Sequence, residues 1–270
     1  MTGIPGLRPA PGPDQPPIPV RLVTFNTHHG VGADARHDLP RLAKVLAAME
    51  ADVICLQEVD RHFGDRSEDV DQALLLSRAL DMQLAWGPAI DRPGEAEKPR
   101  QYGNALLSRL PILISDVHRL PGQGEPRTAL RTMVELDGGA LWVTVTHLTT
   151  RSAEERATQV AALAALHTEP METGVLVGDF NAPPDAPELG VLRERFTDAW
   201  HMAMARGDQS GWRFWQHDEG GTFPARAPHE RIDQVWVSAG VTVAAAQVID
   251  AGGASDHLPL AVDLEVTSGV

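Results

Sequence analysis

A single cysteine, Cys55, occurs in 270 residues, and it lies inside the apolar run Val53-Ile-Cys-Leu56. That excludes intrachain disulfides and any cysteine-based metal knuckle, and it predicts a buried thiol in a reducing compartment. No stretch approaches the length of a transmembrane helix. The segment Met1 to Pro19 is rich in Pro and Gly and lacks the apolar core of a signal peptide. The expectation is a soluble, cytoplasmic protein with no integral membrane association: residues 1–19 form a disordered leader and residues 20–268 a single domain. Runs of Lys or Arg are also missing, and the formal net charge is −14. So acidic a surface is repelled by nucleic-acid backbones unless a basic groove or bound cations offset it. Duplex nucleic acid is disfavoured as a partner, without being excluded. Neither an internal repeat nor a dividing linker after residue 20 is evident, and no obligate protein partner is indicated.

What is present is a hydrophobic content of 43%, enough for one large core. Strands are expected at Val20–Asn26, Asp52–Leu56, Gln83–Trp86, Tyr102–Ser108, Ile112–Leu120, Ala129–Leu136 and Leu141–His147. Further strands are expected at Val175–Gly178, Ile232–Val237, Val241–Ile249 and Leu260–Val266. Asp38 and Pro40 suit the first turn of a helix carrying Leu42, Val45, Leu46 and Met49 at helical spacing. A second helix is read over about 69–80. Ser152-Ala-Glu-Glu155 is a capping-box pattern opening a third helix that runs to about His167, and a fourth lies near 188–196. Residues 88–101 read as a charged loop broken by Pro and Gly, and 204–230 as an irregular segment. About a dozen strands with some four dispersed helices suit two packed sheets with helices outside, more than one open sheet holds.

The chemistry gathers where strands end. Val175-Leu-Val-Gly-Asp-Phe-Asn181 reads as a short buried strand delivering a carboxylate and a carboxamide two residues apart, expected to project to one side. Polar groups there are costly unless they meet a metal, a substrate or each other. Taken alone, the stretch reads equally well as a turn whose Asp and Asn cap local backbone. But Asn26, Glu58, His147, Asp233 and the Asp256-His257 pair stand mostly at similar ends. Carboxylate and carboxamide oxygens suit a hard cation such as Mg²⁺, and histidines beside carboxylates suit proton transfer. Ser255, Asp256 and His257 are consecutive, so they do not line up as a hydrolytic triad.

Seven motifs in order carry a resemblance: Thr24-Phe-Asn26, Leu56-Gln-Glu58, Tyr102-Gly-Asn-Ala-Leu-Leu-Ser108, Thr146-His147-Leu, Gly178-Asp-Phe-Asn181, Arg231-Ile-Asp233 and Ser255-Asp-His257. With these the chain resembles the endonuclease/exonuclease/phosphatase superfamily of metal-dependent phosphohydrolases. The resemblance implies a deoxyribonuclease I-like α/β fold of four layers, two packed, mainly antiparallel sheets flanked by helices. It implies Mg²⁺, with Mn²⁺ able to substitute, held mainly by Glu58 with Asn26 and Asp256 holding the metal or its waters. Asp179 would orient or deprotonate the attacking water, Asn181 would bond the phosphate, and His257, polarised by Asp233, would stabilise the charged phosphoryl oxygen. His147 would contact the phosphate or assist the leaving group, and Arg127 and Asn104 would be phosphate-side donors.

Tyr102 is a further substrate-side candidate, though a tyrosine opening a strand is often simply packed. His28 and His29 follow a site residue and either line its rim, His29 touching substrate, or fold back on local carbonyls. Arg131 could replace Arg127. His62, His118, His167, His201 and His217 read as surface or loop histidines, and His229 as an outside candidate for substrate contact. Trp212, Phe214 and Trp215 read as residues pinning a long loop, with substrate or membrane contact as the other reading. Acidity disfavours duplex DNA. The opening Phe25-Asn-Thr-His-His-Gly30 with the compact length resembles small bacterial phosphodiesterases related to sphingomyelinases, which implies a phosphodiester (or phosphomonoester) in a small organic or lipid-headgroup substrate. A DNA or RNA nuclease is the alternative, and a non-catalytic phosphate- or protein-binding member the remote one.

Overall fold

The structure, a computed structural model, describes residues 16–94, 98–167, 173–206 and 220–267. Among these described residues, twelve strands form two six-stranded sheets. One has the order β11-β12-β1-β2-β4-β3, the other β5-β6-β7-β8-β10-β9. The first contains β1 (Ile18–Asn26), β2 (Val53–Arg61), β3 (Gln83–Arg92), β4 (Arg100–Ser108), β11 (Val241–Val248) and β12 (Leu260–Val266). The second contains β5 (Ile112–Arg119), β6 (Thr128–Leu136), β7 (Gly139–His147), β8 (Gly174–Asp179), β9 (Thr197–Asp198) and β10 (Asp233–Val237). Each sheet has one parallel pair, β1 with β2 and β7 with β8, among otherwise antiparallel neighbours.

Strands buried on both faces read as continuous apolar runs, because alternate side chains serve different layers. In β1, Val20 and Leu22 enter the core between the sheets, while Val23 and Phe25 face the helices. The inter-sheet core is completed by Val143 and Val145 of β7, Val175 and Val177 of β8, and Val235 and Val237 of β10. On the outer face of the first sheet lie α1 (Leu39–Ala48) and α2 (Gln72–Leu80), packed through Leu42, Leu46 and Leu76. On the other outer face, α3 (Ala153–Ala165) and α4 (Gly190–Arg195) cover Leu176 and Trp236. This is the expected four-layer α/β sandwich.

The expected caps form: Asp38 accepts the Arg41 N–H at 2.9 Å, and Ser152 accepts that of Glu155 at 3.2 Å. Three readings change. Residues 88–92 continue β3, and Arg100 and Gln101 open β4, so the stretch expected as loop is strand at both ends. Pro88 is tolerated because β3 is an edge strand and its ladder is irregular between Pro88 and Ile90. A fifth helix, α5 (Ala199–Arg206), occupies the start of the segment read as irregular. Its signal was Asp198, whose carboxylate accepts the Trp200 N–H at 3.0 Å. β1 also starts at Ile18, inside the expected leader. No helix among the described residues is long and apolar enough to cross a membrane.

His167 is buried rather than at the surface, with Nε2 3.1 Å from Thr144 Oγ1 and its ring edge-on to Phe196. Burial, with Arg131 and Arg195 nearby, lowers its pKa to about 4. Between pH 6.5 and 4 the unfolded chain therefore binds a proton that the folded chain refuses. Wild-type stability is expected to fall over that window, by up to about 1.4 kcal/mol per pH unit from this group alone. The stability difference between wild type and His167→Gln, followed by urea unfolding, should shrink accordingly as the pH falls. A difference independent of pH between 6.5 and 4 would show that His167 titrates normally.

Candidate active site

The alternation that fills the inter-sheet core also builds the site. On β1 the inward positions Val20 and Leu22 continue to Asn26. On β7, Val143 and Val145 continue to His147, and on β8, Val175 and Val177 continue to Asp179. On β10, Val235 and Val237 are preceded by Asp233. On β7, β8 and β10 the polar residue is the next inward position after the apolar layer stops, and on β1 the buried Thr24 comes between Leu22 and Asn26. The ladders align them sideways, with His147 opposite Asp179 and Asp179 opposite Asp233. Gly178 permits this approach: a Cβ there would lie 1.9 Å from the Thr146 carbonyl oxygen.

Glu58 arrives by a different device. Ile54, Leu56 and Val59 all face the helices, so one residue too many lies between Leu56 and Val59, and the ladder with β4 is bulged there. At the bulge Glu58 adopts φ 57°, an uncommon conformation for a non-glycine residue. Its carboxylate turns toward Asn26, whose Nδ2 donates to Glu58 Oε1 at 3.1 Å and to Asp179 Oδ2 at 3.0 Å. The carboxamide therefore joins the two sheets' carboxylates.

Asp179 sits between two imidazoles. His147 Nε2 is 3.5 Å and His257 Nε2 3.8 Å from Asp179 Oδ2, while His257 Nδ1 donates to Asp233 Oδ2 at 2.8 Å. Burial, then the neighbouring Asp233, raises the Asp179 pKa, against the opposing pull of His257 and Asn26. Burial alone would lower that of His257, but Asp233, with Asp179 and Asp256, raises it to about 10. His147 is lowered to about 3 by burial and Arg127, so it is neutral. For Glu58 burial works upward but is outweighed by the neighbouring His29 and Asn26, which hold it well below the usual carboxylate range. The side chains open toward solvent in the order Asp233 (0%), Asp179 (2%), Glu58 (22%) and Asp256 (42% exposed).

Asn181 does not project from a strand alongside Asp179, because β8 ends at Asp179. Instead Asn181 has φ 49°, which Asn tolerates well. Its N–H donates to Asp179 Oδ1 at 2.9 Å and its Nδ2 to the Leu148 carbonyl at 2.9 Å. Asn104 donates to the Thr128 carbonyl at 3.0 Å. Tyr102 is buried, and burial and Glu58 push its phenol up. Arg127 is buried too, with Nη1 3.2 Å from Glu125 and an Nε that has no hydrogen-bond partner among the described residues. Arg131 stacks its guanidinium 3.6 Å from the Trp142 ring centroid and so does not replace Arg127. His28 does fold back on a carbonyl, that of Val31 at 3.2 Å, and lies 3.7 Å from Asp256. His29 Nδ1 lies 3.8 Å from Glu58 Oε2. His229 Nδ1 lies 2.9 Å from the Ala227 carbonyl. Trp212, Phe214, Trp215 and His217 lie outside the described residues.

Sequence reasoning missed the braces. Thr222 Oγ1 accepts the Asp233 N–H at 3.2 Å, and Phe223 packs its ring 4.7 Å from that of His257. Ser255 Oγ donates to the Asn26 carbonyl at 2.7 Å, tying the Asp256-His257 turn to β1. Gln72, from α2, accepts the Asp60 N–H at 2.9 Å and donates to the His29 carbonyl at 2.7 Å. The only available sequence signals were a Thr-Phe pair before a proline and a glutamine on a helix.

The donor set of Glu58, Asn26 and Asp256 fits a hard divalent cation: it is oxygen-rich, and Glu58 is held anionic. Asp179, Asp233 and His257 also bring ligand atoms within 4.8 Å of one another. In that trio His257 Nδ1 is taken by Asp233 and its imidazole is driven toward the cation, which suits proton handling better.

The comparisons agree with this geometry. An uncharacterized protein, YbhP, of Escherichia coli strain K12 is 30% identical over 266 residues, 91% of this chain and 96% of YbhP. An endonuclease/exonuclease/phosphatase from Beutenbergia cavernae superposes with TM-score 0.75 at 26% identity, covering 92% of this chain and 72% of that one. A mannosyl-6-phosphatase of Bacteroides thetaiotaomicron shares the fold at TM-score 0.71 and 16% identity, over 91% of this chain and 99% of that one. The model of the Endonuclease/Exonuclease/phosphatase family matches residues 23–257, and the chain belongs to that family of phosphoester hydrolases.

Proposed function

We propose that the protein is a Mg²⁺- or Mn²⁺-dependent hydrolase of phosphodiester (or phosphomonoester) bonds, acting on a small organic or lipid-headgroup substrate. The observation that carries this is Asp179: a buried carboxylate of raised basicity, lying between two imidazoles and bonded to the amide that also holds Glu58. Glu58 would hold the cation, with Asn26 and Asp256 retaining it or its waters. Bound there, the ion supplies charge neutralisation at the phosphoryl oxygens.

The chain's own residues supply the rest. Asp179 accepts the proton of an attacking water while the oxygen forms its bond to phosphorus in line with the departing ester oxygen. Asn26 holds the Asp179 carboxylate in place. His257, protonated and fixed through Nδ1 by Asp233, turns Nε2 toward charge growing on the phosphoryl group or leaving oxygen. His147 is the neutral partner, a hydrogen-bonding group for the phosphate rather than an acid. Asn181 and Asn104 each keep a second amide N–H for a phosphate oxygen, and the unpartnered Arg127 Nε supplies a buried donor. Tyr102 and His29 complete the substrate side.

The net charge of −14 supports a small ester over duplex DNA. The same fold carrying a mannosyl-6-phosphatase is compatible with a compact substrate. A panel of bis-p-nitrophenyl phosphate, sugar phosphates, phospholipids, single strands and abasic duplex separates the readings. Efficient cleavage of abasic duplex alone would replace this reading with a nuclease. Chelation is expected to abolish turnover, with Mg²⁺ or Mn²⁺ restoring it. No hydrolysis of any ester with either metal, and Glu58→Ala behaving as wild type, would point to a non-catalytic binder.

Asp179→Asn and His257→Ala are each expected to lower kcat by at least roughly a hundredfold, with the fold intact by circular dichroism. Near-wild-type turnover in either variant would remove that residue from the chemistry.

A further inference from the structure

The turn after β1 is built to present one nitrogen. His28, His29 and Gly30 have φ 44°, 43° and 80°, three successive left-handed residues. Such backbone persists only where its surroundings over-determine it. Here Thr27 Oγ1 donates to the Gln57 carbonyl at 3.0 Å, and Gln72 Nε2 donates to the His29 carbonyl at 2.7 Å. A Cβ on Gly30 would meet Gln72 Nε2 and His37 at 3.0 Å, so the turn also sits hard against α2. The result is that His29 Nδ1 is shut off from solvent with no hydrogen-bond partner among the described residues, an arrangement that costs free energy unless something binds it.

What faces that nitrogen is Glu58 Oε2 at 3.8 Å, too far for a hydrogen bond. The other Glu58 oxygen is already bonded to Asn26. Two ligands held about 2.1 Å from one octahedral ion are about 3.0 Å apart when adjacent and about 4.2 Å apart when opposed. The observed 3.8 Å lies between the two values, short enough for one ion to touch both atoms after a small closure of the turn.

We propose that His29 Nδ1 is a ligand of the same cation as Glu58, giving a mixed nitrogen–oxygen set that selects Mn²⁺ over Mg²⁺. The reason is ligand character: Mg²⁺ takes oxygen ligands and is reluctant to shed water, whereas Mn²⁺, although it too favours oxygen, is a first-row transition ion that accepts an imidazole nitrogen more readily than Mg²⁺. The inference rests on the metal-dependent reading above and moves His29 from the substrate side to the metal. Holding the turn gives a reason for the burial of Gln72, which is remote from the chemistry yet bonded to the His29 carbonyl.

The test is titration of the intact chain with Mn²⁺ or Mg²⁺ by calorimetry, together with pulsed electron paramagnetic resonance of the Mn²⁺ form. His29→Asn is the informative variant, since Asn tolerates positive φ and offers an oxygen in place of nitrogen; His29→Gln is the second should the first fail to melt cooperatively. Expected are a wild-type preference for Mn²⁺, a ¹⁴N hyperfine coupling lost in the variant, and a Mn²⁺-over-Mg²⁺ affinity ratio reduced by about tenfold. Mn²⁺ binding with no nitrogen coupling, or with coupling that survives in the variants, overturns the inference and leaves the proposed hydrolase standing. Failure of wild type to bind either ion overturns both.

Discussion

Everything at this site turns on keeping a carboxylate ionisable where water hardly reaches. Asp179 and Asp233 are both buried, and they flank one imidazole, His257. Two anions against one cation is an unbalanced interior, so part of the imbalance appears as the raised basicity of Asp179. The arrangement survives because each remaining oxygen of Asp179 has a donor: Asn26 on one and the Asn181 backbone on the other. Asp233 in turn is bonded to His257, and its own N–H is bonded to Thr222. A group placed in this way is a better base than a surface aspartate, and its orientation is set before any substrate arrives.

The two sheets solve the placement problem with one plan. Each contains a single parallel pair, and a parallel pair brings two strand ends to the same edge. In the first sheet those ends carry Asn26 and Gln57-Glu58, in the second His147 and Asp179. No repeat is evident in the sequence, yet the layout repeats. Facing the sheets brings the four ends together, and the antiparallel neighbour β10 adds Asp233 from the opposite chain direction. The inter-sheet valine layer is the floor of the site, and its last inward positions are the walls.

Much of this was legible beforehand because it depends on alternation and composition. The strands, the helix caps at Asp38 and Ser152, and the polar ends Asn26, His147, Asp179 and Asp233 follow from local pattern. Less legible was anything set by conformation at a single residue. Asn181 looks like a strand neighbour of Asp179 in the sequence, but its left-handed backbone removes it from the ladder. Residues 88–92 look like loop because of Pro88, and only the edge position of β3 makes room for it. His167 carries no sign of burial, since what encloses it is Phe196 and Thr144, brought there by α4 and β7. The braces Thr222, Ser255 and Gln72 are ordinary polar residues whose partners lie far along the chain.

These differences divide the site into two mechanical halves. Asp179, Asp233 and His147 sit in regular ladders, where neighbouring strands hold them and little strain is stored. Glu58 and His29 sit at a bulge and a left-handed turn, and each is the more exposed partner. Proton transfer tolerates little displacement, which argues for the rigid half. A cation, by contrast, pulls its ligands into place and repays local strain when it binds, which argues for the half that is bent. The exposure gradient from Asp233 to Asp256 then bears on the proposed reaction: an ester entering from the solvent side would pass the strained half, and the proposed metal ligands would meet its phosphate before the buried base does.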